Sequence, residues 1–310
     1  MFRPLIRVFV ISLLSYSAFL HAQSHTDVVN HVRGEMSFLA GDALRGRGSA
    51  TRDEFVAASY VASQFESFGL EKAQIQRVSL PSGATTYNAM GILQGTDPEL
   101  ARQTILLSSH LDHLGARSTP TGELIYHGAD DNASGTAAVL ELARALAALP
   151  QRPRRTILFV CFGSEETGGQ GDQYFLAHPP LLLSSIVANL EFEMIGQPDR
   201  AVRPRQFWLT GWERSNLGPT LAQHGAPLVA DPHPREQFFR RSDNFALAQQ
   251  GIVAQTVSSY GLGAHYHQPS DDLDHIDFEH LTGAIERMIS PVEWLSNTDW
   301  KPAWNPGGRP

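Results

Sequence analysis

The chain has 310 residues, 42% of them hydrophobic, enough to bury one large core. Its net charge of −8 argues against a nucleic-acid partner, whose phosphates call for a basic face. The single cysteine, Cys161, excludes a disulfide framework and, lying in an apolar run, reads as a core residue rather than a nucleophile.

In chain order, the first segment has the pattern of a secretory signal. Arg3 and Arg7 precede the apolar run Val8 to Leu20, and the small residue Ala22 closes it before Gln23. That run is too short to span a bilayer comfortably and no other is long enough, so a secreted or periplasmic protein without stable membrane insertion is expected. Residues 1–22 are read as the signal, 23–298 as one domain, and the Pro- and Gly-rich 299–310 as a loosely held tail.

From Thr26 to about Leu70 the pattern is helical, with Ala58, Val61, Phe65 and Phe68 recurring at steps of three and four. Strands are expected at Ile75–Leu80, Tyr87–Leu93, Thr104–Ser109, Thr156–Phe162, Ile186–Phe192, Gln206–Leu209 and Val253–Val257. Helices are expected near Ala133–Leu149, Ser215–His224 and Asp243–Gln250, and a last one, Phe278–Leu295, should bend or break at Pro291. Strands interleaved with helices indicate an α/β three-layer sandwich whose mixed, mostly parallel central sheet is flanked by helices. Such sheets place ligands beyond the carboxyl ends of their strands.

Polar motifs cluster at those ends. Ser109-His110-Leu111-Asp112-His113-Leu114-Gly115 follows an apolar strand, and residues two apart share a face, so Asp112 can orient the His110 ring. Gly128-Ala129-Asp130-Asp131-Asn132-Ala133-Ser134-Gly135 precedes a helix; it reads either as an amino-terminal cap or as a carboxylate held between two cations. The strand ending at Phe162 delivers Glu165 and Glu166, adjacent acids that point in different directions and suit two roles, one binding metal and the other facing a water. Glu191 and Glu193 share a face at the end of a fourth strand, and the spacing leaves either as a ligand. In Ala264-His265-Tyr266-His267-Gln268, the two histidines compete for the same role. Donors of oxygen and nitrogen without thiolates suit zinc, manganese or cobalt.

In this order the motifs resemble those of the co-catalytic di-zinc aminopeptidases, metallopeptidase family M28, from Met36-Ser37-Phe38-Leu39-Ala40 and Leu44-Arg45-Gly46-Arg47-Gly48 through Asp277. The resemblance implies a zinc aminopeptidase-like fold and two zinc ions per chain: His110 on the first, Asp131 bridging, Glu166 and His267 on the second. Glu193 would complete the first site, because Met194-Ile195-Gly196 matches the family's segment; the family's usual residue there is Asp. It also implies Asp112 as the outer partner of His110, a cis peptide at Asp131–Asn132, Glu165 as general base and Tyr266 as donor to the developing oxyanion. Arg241-Ser242-Asp243-Asn244 resembles an Arg-Ser-Asp-His segment. That puts Asp243 beside the site, although its other reading is the cap of the helix that follows. The implied substrate is a peptide with a free amino terminus. Glutaminyl-cyclase-like acyl transfer on the same scaffold and an inactive, receptor-like binding role are the alternatives. Trp212, Phe238 and Phe239, in the segment Gly211–Phe239, are read either as core aromatics, the commoner role, or as residues that shape a substrate pocket.

Overall fold

The structure, a computed structural model, describes residues 26–310, so the expected signal segment lies outside the described residues. The amino-terminal helical pattern is divided. A helix over residues 26–39, α1, is followed by the short 3-10 segment Asp42–Arg47 and then by α2, Arg52–Ser67. Gly46 explains the break: it sits at φ 71°, and a Cβ there would lie 2.0 Å from the Tyr126 carbonyl oxygen. Thr51 caps α2 by accepting from the Glu54 amide.

The strands in chain order are β1 (Glu71–Ser79), β2 (Thr85–Leu93), β3 (Thr104–His110), β4 (Gly115–Thr119), β5 (Gly122–Tyr126), β6 (Thr156–Phe162), β7 (Ile186–Phe192), β8 (Phe207–Leu209), β9 (Leu228–Ala230) and β10 (Ala254–Ser258). Eight of them form one sheet in the order β1-β2-β6-β3-β7-β10-β8-β9, while β4 and β5 make a separate hairpin. The centre, β6-β3-β7-β10, is parallel, and β1, β2 and β8 pair antiparallel to it or to each other. The remaining helices are α3 (Gly135–Ala147), α4 (Gln170–Ala177), α5 (Leu217–Gln223), α6 (Asn244–Gln249) and α7 (Phe278–Asn297).

The period-two alternation of the central strands builds three layers. Ile105, Leu107, Ile157, Phe159 and Cys161 enter a core with α1, α2, α3 and α7; Leu106, Leu158, Val160 and Phe162 enter a second core with α4 and α6. The expected mixed, mostly parallel α/β sandwich is what the chain forms. Sequence reasoning missed β4, β5 and β9, which are short and largely exposed, and α4, whose opening Gln170-Gly171 lacks a helix-start signal.

The expected break at Pro291 does not occur: α7 runs from Phe278 to Asn297. Proline removes one internal hydrogen bond, but Leu281, Ala284, Ile285, Met288, Val292 and Leu295 on this helix are all fully buried, and that packing outweighs the loss. The tail expected to be loosely held has specific anchors. Trp304 donates its indole N–H to Gly251 O at 3.0 Å, Asn305 N donates to Arg214 O at 2.8 Å, and Arg214 reaches Gly308 O at 3.0 Å. Among the described residues no helix is long and apolar enough to cross a membrane.

Candidate metal centre

All four parallel strands deliver polar residues past their carboxyl ends. β3 ends at His110, β6 leads to Glu165 and Glu166, β7 to Glu193, and β10 to the loop carrying Tyr266 and His267. Asp131 comes from a turn of π-helical hydrogen bonding, Ala129–Ser134, before α3. The Asp131–Asn132 peptide is cis, as the family motif implied.

The motif around Asp131 is a knot between that turn and the end of β7. Asn132 donates to Phe192 O at 2.9 Å and accepts from Met194 N at 3.2 Å, and Gly196 N donates to Asp130 Oδ1 at 2.7 Å. From the far side Asp271 accepts from Asp130 N at 2.8 Å and from Asp131 N at 3.0 Å. Underneath lies Arg47, fully buried, whose guanidinium donates to Leu39 O at 2.5 Å, Leu111 O at 2.9 Å, His127 O at 2.8 Å and Gly128 O at 2.9 Å. Burial lowers its pKa to about 10, against the pull of Asp271 and Asp112, so it stays charged near neutrality. Glu54 does similar work for the Glu165 loop, accepting from Ser164 N at 3.1 Å and Ala50 N at 2.8 Å.

Two groups of donors meet at Asp131. His110, Asp131 and Glu193 form one, and His113, Asp131 and Glu166 form the other. His110 Nε2 lies 3.2 Å from Asp131 Oδ1; His267 Nε2 lies 3.2 Å from Asp131 Oδ2 and 3.1 Å from Glu166 Oε2. A divalent cation held tetrahedrally at ~2.1 Å spaces its donors by ~3.4 Å, close to these separations. His110 Nε2 is buried with no hydrogen-bond partner, although four carboxylates surround the site. The donor set therefore fits a cation.

The electrostatics agree. Burial opposes charge on His110, yet Asp131, Glu165 and Glu193 hold its pKa well above the ordinary value. Burial also opposes charge on Asp131, but His110 and His267 keep it well below the usual carboxylate range. Glu165 is pushed up to about 9, chiefly by burial, with His110 opposing and Glu193 and Glu166 adding to the rise. Glu193 is pushed up to about 8 by burial and by Glu191. Such acids are short of positive charge.

The open alternatives separate in space. Glu191 accepts from Ser242 Oγ at 2.6 Å, Asn244 N at 2.7 Å and Thr256 Oγ1 at 3.2 Å, so it caps α6 while Glu193 joins His110. His265 turns to Ser270 Oγ at 2.9 Å, away from Asp131. Asp243 makes no side-chain cap bond; it is buried, its Oδ2 has no partner, and burial together with Glu191 raises its pKa well above the ordinary value. Asp112 Oδ1 lies 3.8 Å from His110 Nδ1 and accepts from Glu165 N at 3.0 Å, so it touches both motifs. One neighbour was not singled out from sequence: His113 Nδ1 lies 2.8 Å from Glu166 Oε1. Its spacing, three beyond His110, was the available signal.

The donors open on a cleft with about 490 Å³ of empty space, lined by Asp131, Glu165, Glu166 and His267 together with Met194, Trp208, Phe238 and Tyr260. Tyr266 lines it too, stacked on His267 with ring centroids 3.9 Å apart. Of the three aromatics read as core or pocket residues, Phe238 lines the cleft. Trp212 packs on the main core and Phe239 on the second.

The model of peptidase family M28 matches residues 88–291, the span that carries every one of these donors. The chain belongs to peptidase family M28. Two relatives set the scale of similarity. Leupeptin-inactivating enzyme 1 of Streptomyces exfoliatus is 35% identical over 119 residues, 38% of this chain and 24% of that protein. Probable leucine aminopeptidase 1 of Trichophyton verrucosum is 23% identical over 245 residues, 72% of this chain and 65% of that protein. The chain thus spans less than two thirds of the length of either relative. Among solved structures, BSAP, a zinc aminopeptidase from Bacillus subtilis, matches with TM-score 0.69 and 16% identity, covering 87% of this chain and 95% of that one. Porphyromonas gingivalis glutaminyl cyclase matches with TM-score 0.65 and 20% identity, covering 87% and 98%. At these identities the structural likeness establishes the M28 fold.

Proposed function

We propose that this M28 chain is an exported zinc metallopeptidase of the aminopeptidase type, acting on peptides with a free amino terminus. The observation that carries the reading is the group His110, Asp131 and Glu193 meeting, at Asp131, a second group in which His267 Nε2 lies 3.2 Å from Asp131 Oδ2 and 3.1 Å from Glu166 Oε2, with Glu165 on the same cleft. His110, Asp131 and Glu193 would hold one zinc ion, and Asp131, Glu166 and His267 the other. Bound there, the ions would acidify a water and polarise the scissile carbonyl. Glu165, on the wall of the cleft, would accept a proton from the attacking water and hand it to the leaving amine. Asp112 holds the Glu165 backbone amide, which fixes where that carboxylate swings. Tyr266, on the wall of the cleft, donates its hydroxyl proton to the oxyanion as charge develops. Relatives named as aminopeptidases support the free amino terminus, and residues 1–22 support export.

The test is direct. Mature protein should hydrolyse aminoacyl p-nitroanilides, lose activity to a chelator and regain it with zinc. Glu165→Gln should cut kcat by roughly 10²–10⁴ while zinc content stays near two per chain. Zinc lost along with activity would make Glu165 a ligand instead. Because one structural neighbour is a glutaminyl cyclase, the panel includes a peptide beginning with Gln; ammonia released without a free amino acid would move the assignment to acyl transfer.

A further inference from the structure

Behind the aromatic lining of the cleft lies a buried carboxylate that the proposed chemistry does not use. Asp199 is 4% exposed, and its Oδ2 accepts the Trp208 indole N–H at 3.0 Å and faces His233 Nε2 at 2.7 Å. Its other oxygen accepts from Ala201 N at 2.8 Å, which fixes the carboxylate plane. Trp208 is the middle residue of β8, and its ring stacks on Phe238, with centroids 5.3 Å apart and planes at 21°. Both rings line the cleft.

His233 stands on the segment that carries Phe238. That segment leaves β9 as Asp231-Pro232-His233-Pro234, and the two prolines restrict the backbone on either side of the histidine. His233 N donates to Asp231 Oδ1 at 2.7 Å, and Glu236 N donates to His233 O at 3.0 Å, so those bonds are internal to the segment. The imidazole is what reaches out. It meets the edges of both Trp208 and Phe238, each at 6.2 Å between centroids, and through Asp199 it joins the segment to the loop that follows β7. Two N–H groups converging on one oxygen set the angle between the indole and the imidazole, and with it the place of Phe238.

We propose that Asp199 and His233 form a clamp that holds Trp208 against Phe238, and that this fixed wall sets the preference for substrates whose residue in the cleft has a large apolar side chain. Both are positioning residues, since neither lines the cleft. The proposal rests on the hydrolase reading for its substrates. A wall held in place presents apolar surface to a bulky side chain at little ordering cost; a loosened wall must be ordered by the substrate, and only a substrate that touches it pays. The loss should therefore fall on KM for large side chains, not on kcat.

The experiment compares alanyl, leucyl and phenylalanyl p-nitroanilides on the zinc-loaded protein. His233→Ala should raise KM about tenfold for the leucyl and phenylalanyl substrates and leave the alanyl substrate within about twofold. His233→Gln, whose amide N–H can still reach Asp199, should restore most of the preference. Calorimetric titration with free L-phenylalanine and L-alanine makes the same comparison without turnover: wild type should favour phenylalanine and His233→Ala should lose that preference. Equal losses on all three substrates, an unchanged preference in His233→Ala, or failure of His233→Gln to restore it overturns the clamp. Absence of all turnover by wild type, with the phenylalanine preference present and lost in His233→Ala, overturns the hydrolase reading and leaves the clamp standing.

Discussion

Each candidate donor on a central strand stands where the apolar run ends and the polar motif begins. His110, Glu166 and Glu193 all do so. The choice between Glu191 and Glu193 was not legible in spacing, since both lie on one face by period two. It depends on Ser242 and Asn244, some fifty residues on, which engage Glu191 and leave Glu193 to the donor cluster. His113 is the reverse case: a histidine next to a readable motif whose partner, Glu166, lies on another strand's loop. Its 2.8 Å hydrogen bond to Glu166 Oε1 places it to orient that carboxylate. His113→Ala should therefore weaken the zinc ion proposed at Asp131, Glu166 and His267 by roughly 10–100-fold and leave the ion proposed at His110 and Glu193 in place. Competition with a fluorescent zinc indicator reads this without substrate. Equal weakening of both ions would argue against the assignment.

At the scale of elements, regular strands were read to within a few residues and irregular segments were not. The reason is visible in the segment Asp42–Arg47, where Arg45, Gly46 and Arg47 all have positive φ and no periodicity announces them. That break turns Arg47 inward, beneath the loops that carry His110 and Asp131. Leu39, Leu111, His127 and Gly128 would each keep a buried carbonyl without its donor if the guanidinium were removed. Arg47→Met should cost about 3 kcal/mol or more in urea unfolding, because the loss is of charged hydrogen bonds and orphaned acceptors together. Arg47→Lys should recover only part of that, since an ammonium cannot fork to four oxygens. A loss under about 1 kcal/mol for Arg47→Met would show that water replaces the side chain. The uninterrupted α7 teaches the matching lesson: the local rule for Pro291 yields to a fully apolar face that the sequence spacing also contained.

For the molecule as a whole, the interleaving of apolar strand runs with helical runs was enough to foresee a layered α/β sandwich, while the edges, built from three-residue strands and a hairpin, carried too little pattern. Global stability should also depend on acid in a defined way. Burial, reinforced by Arg205 and opposed by Asp277, lowers His280 to about 4. Between pH 6.5 and 4 the unfolded chain binds a proton there and the folded one does not, so unfolding becomes easier as pH falls through that window. The contribution is about 3 kcal/mol once complete. His280→Gln should flatten that part of the curve of unfolding free energy against pH; an unchanged slope would assign the acid sensitivity to other groups.

The brace from Asp271 to the amides of Asp130 and Asp131 joins residues 140 positions apart, and the donors themselves run from His110 to His267. During synthesis, the amino-terminal half therefore holds no finished donor cluster. It gains one only when the last third arrives and the turn carrying Asp131 is gripped from both sides. Order of emergence then acts as a safety catch: the proposed hydrolytic centre does not exist until residues 110 through 271 are all present and folded.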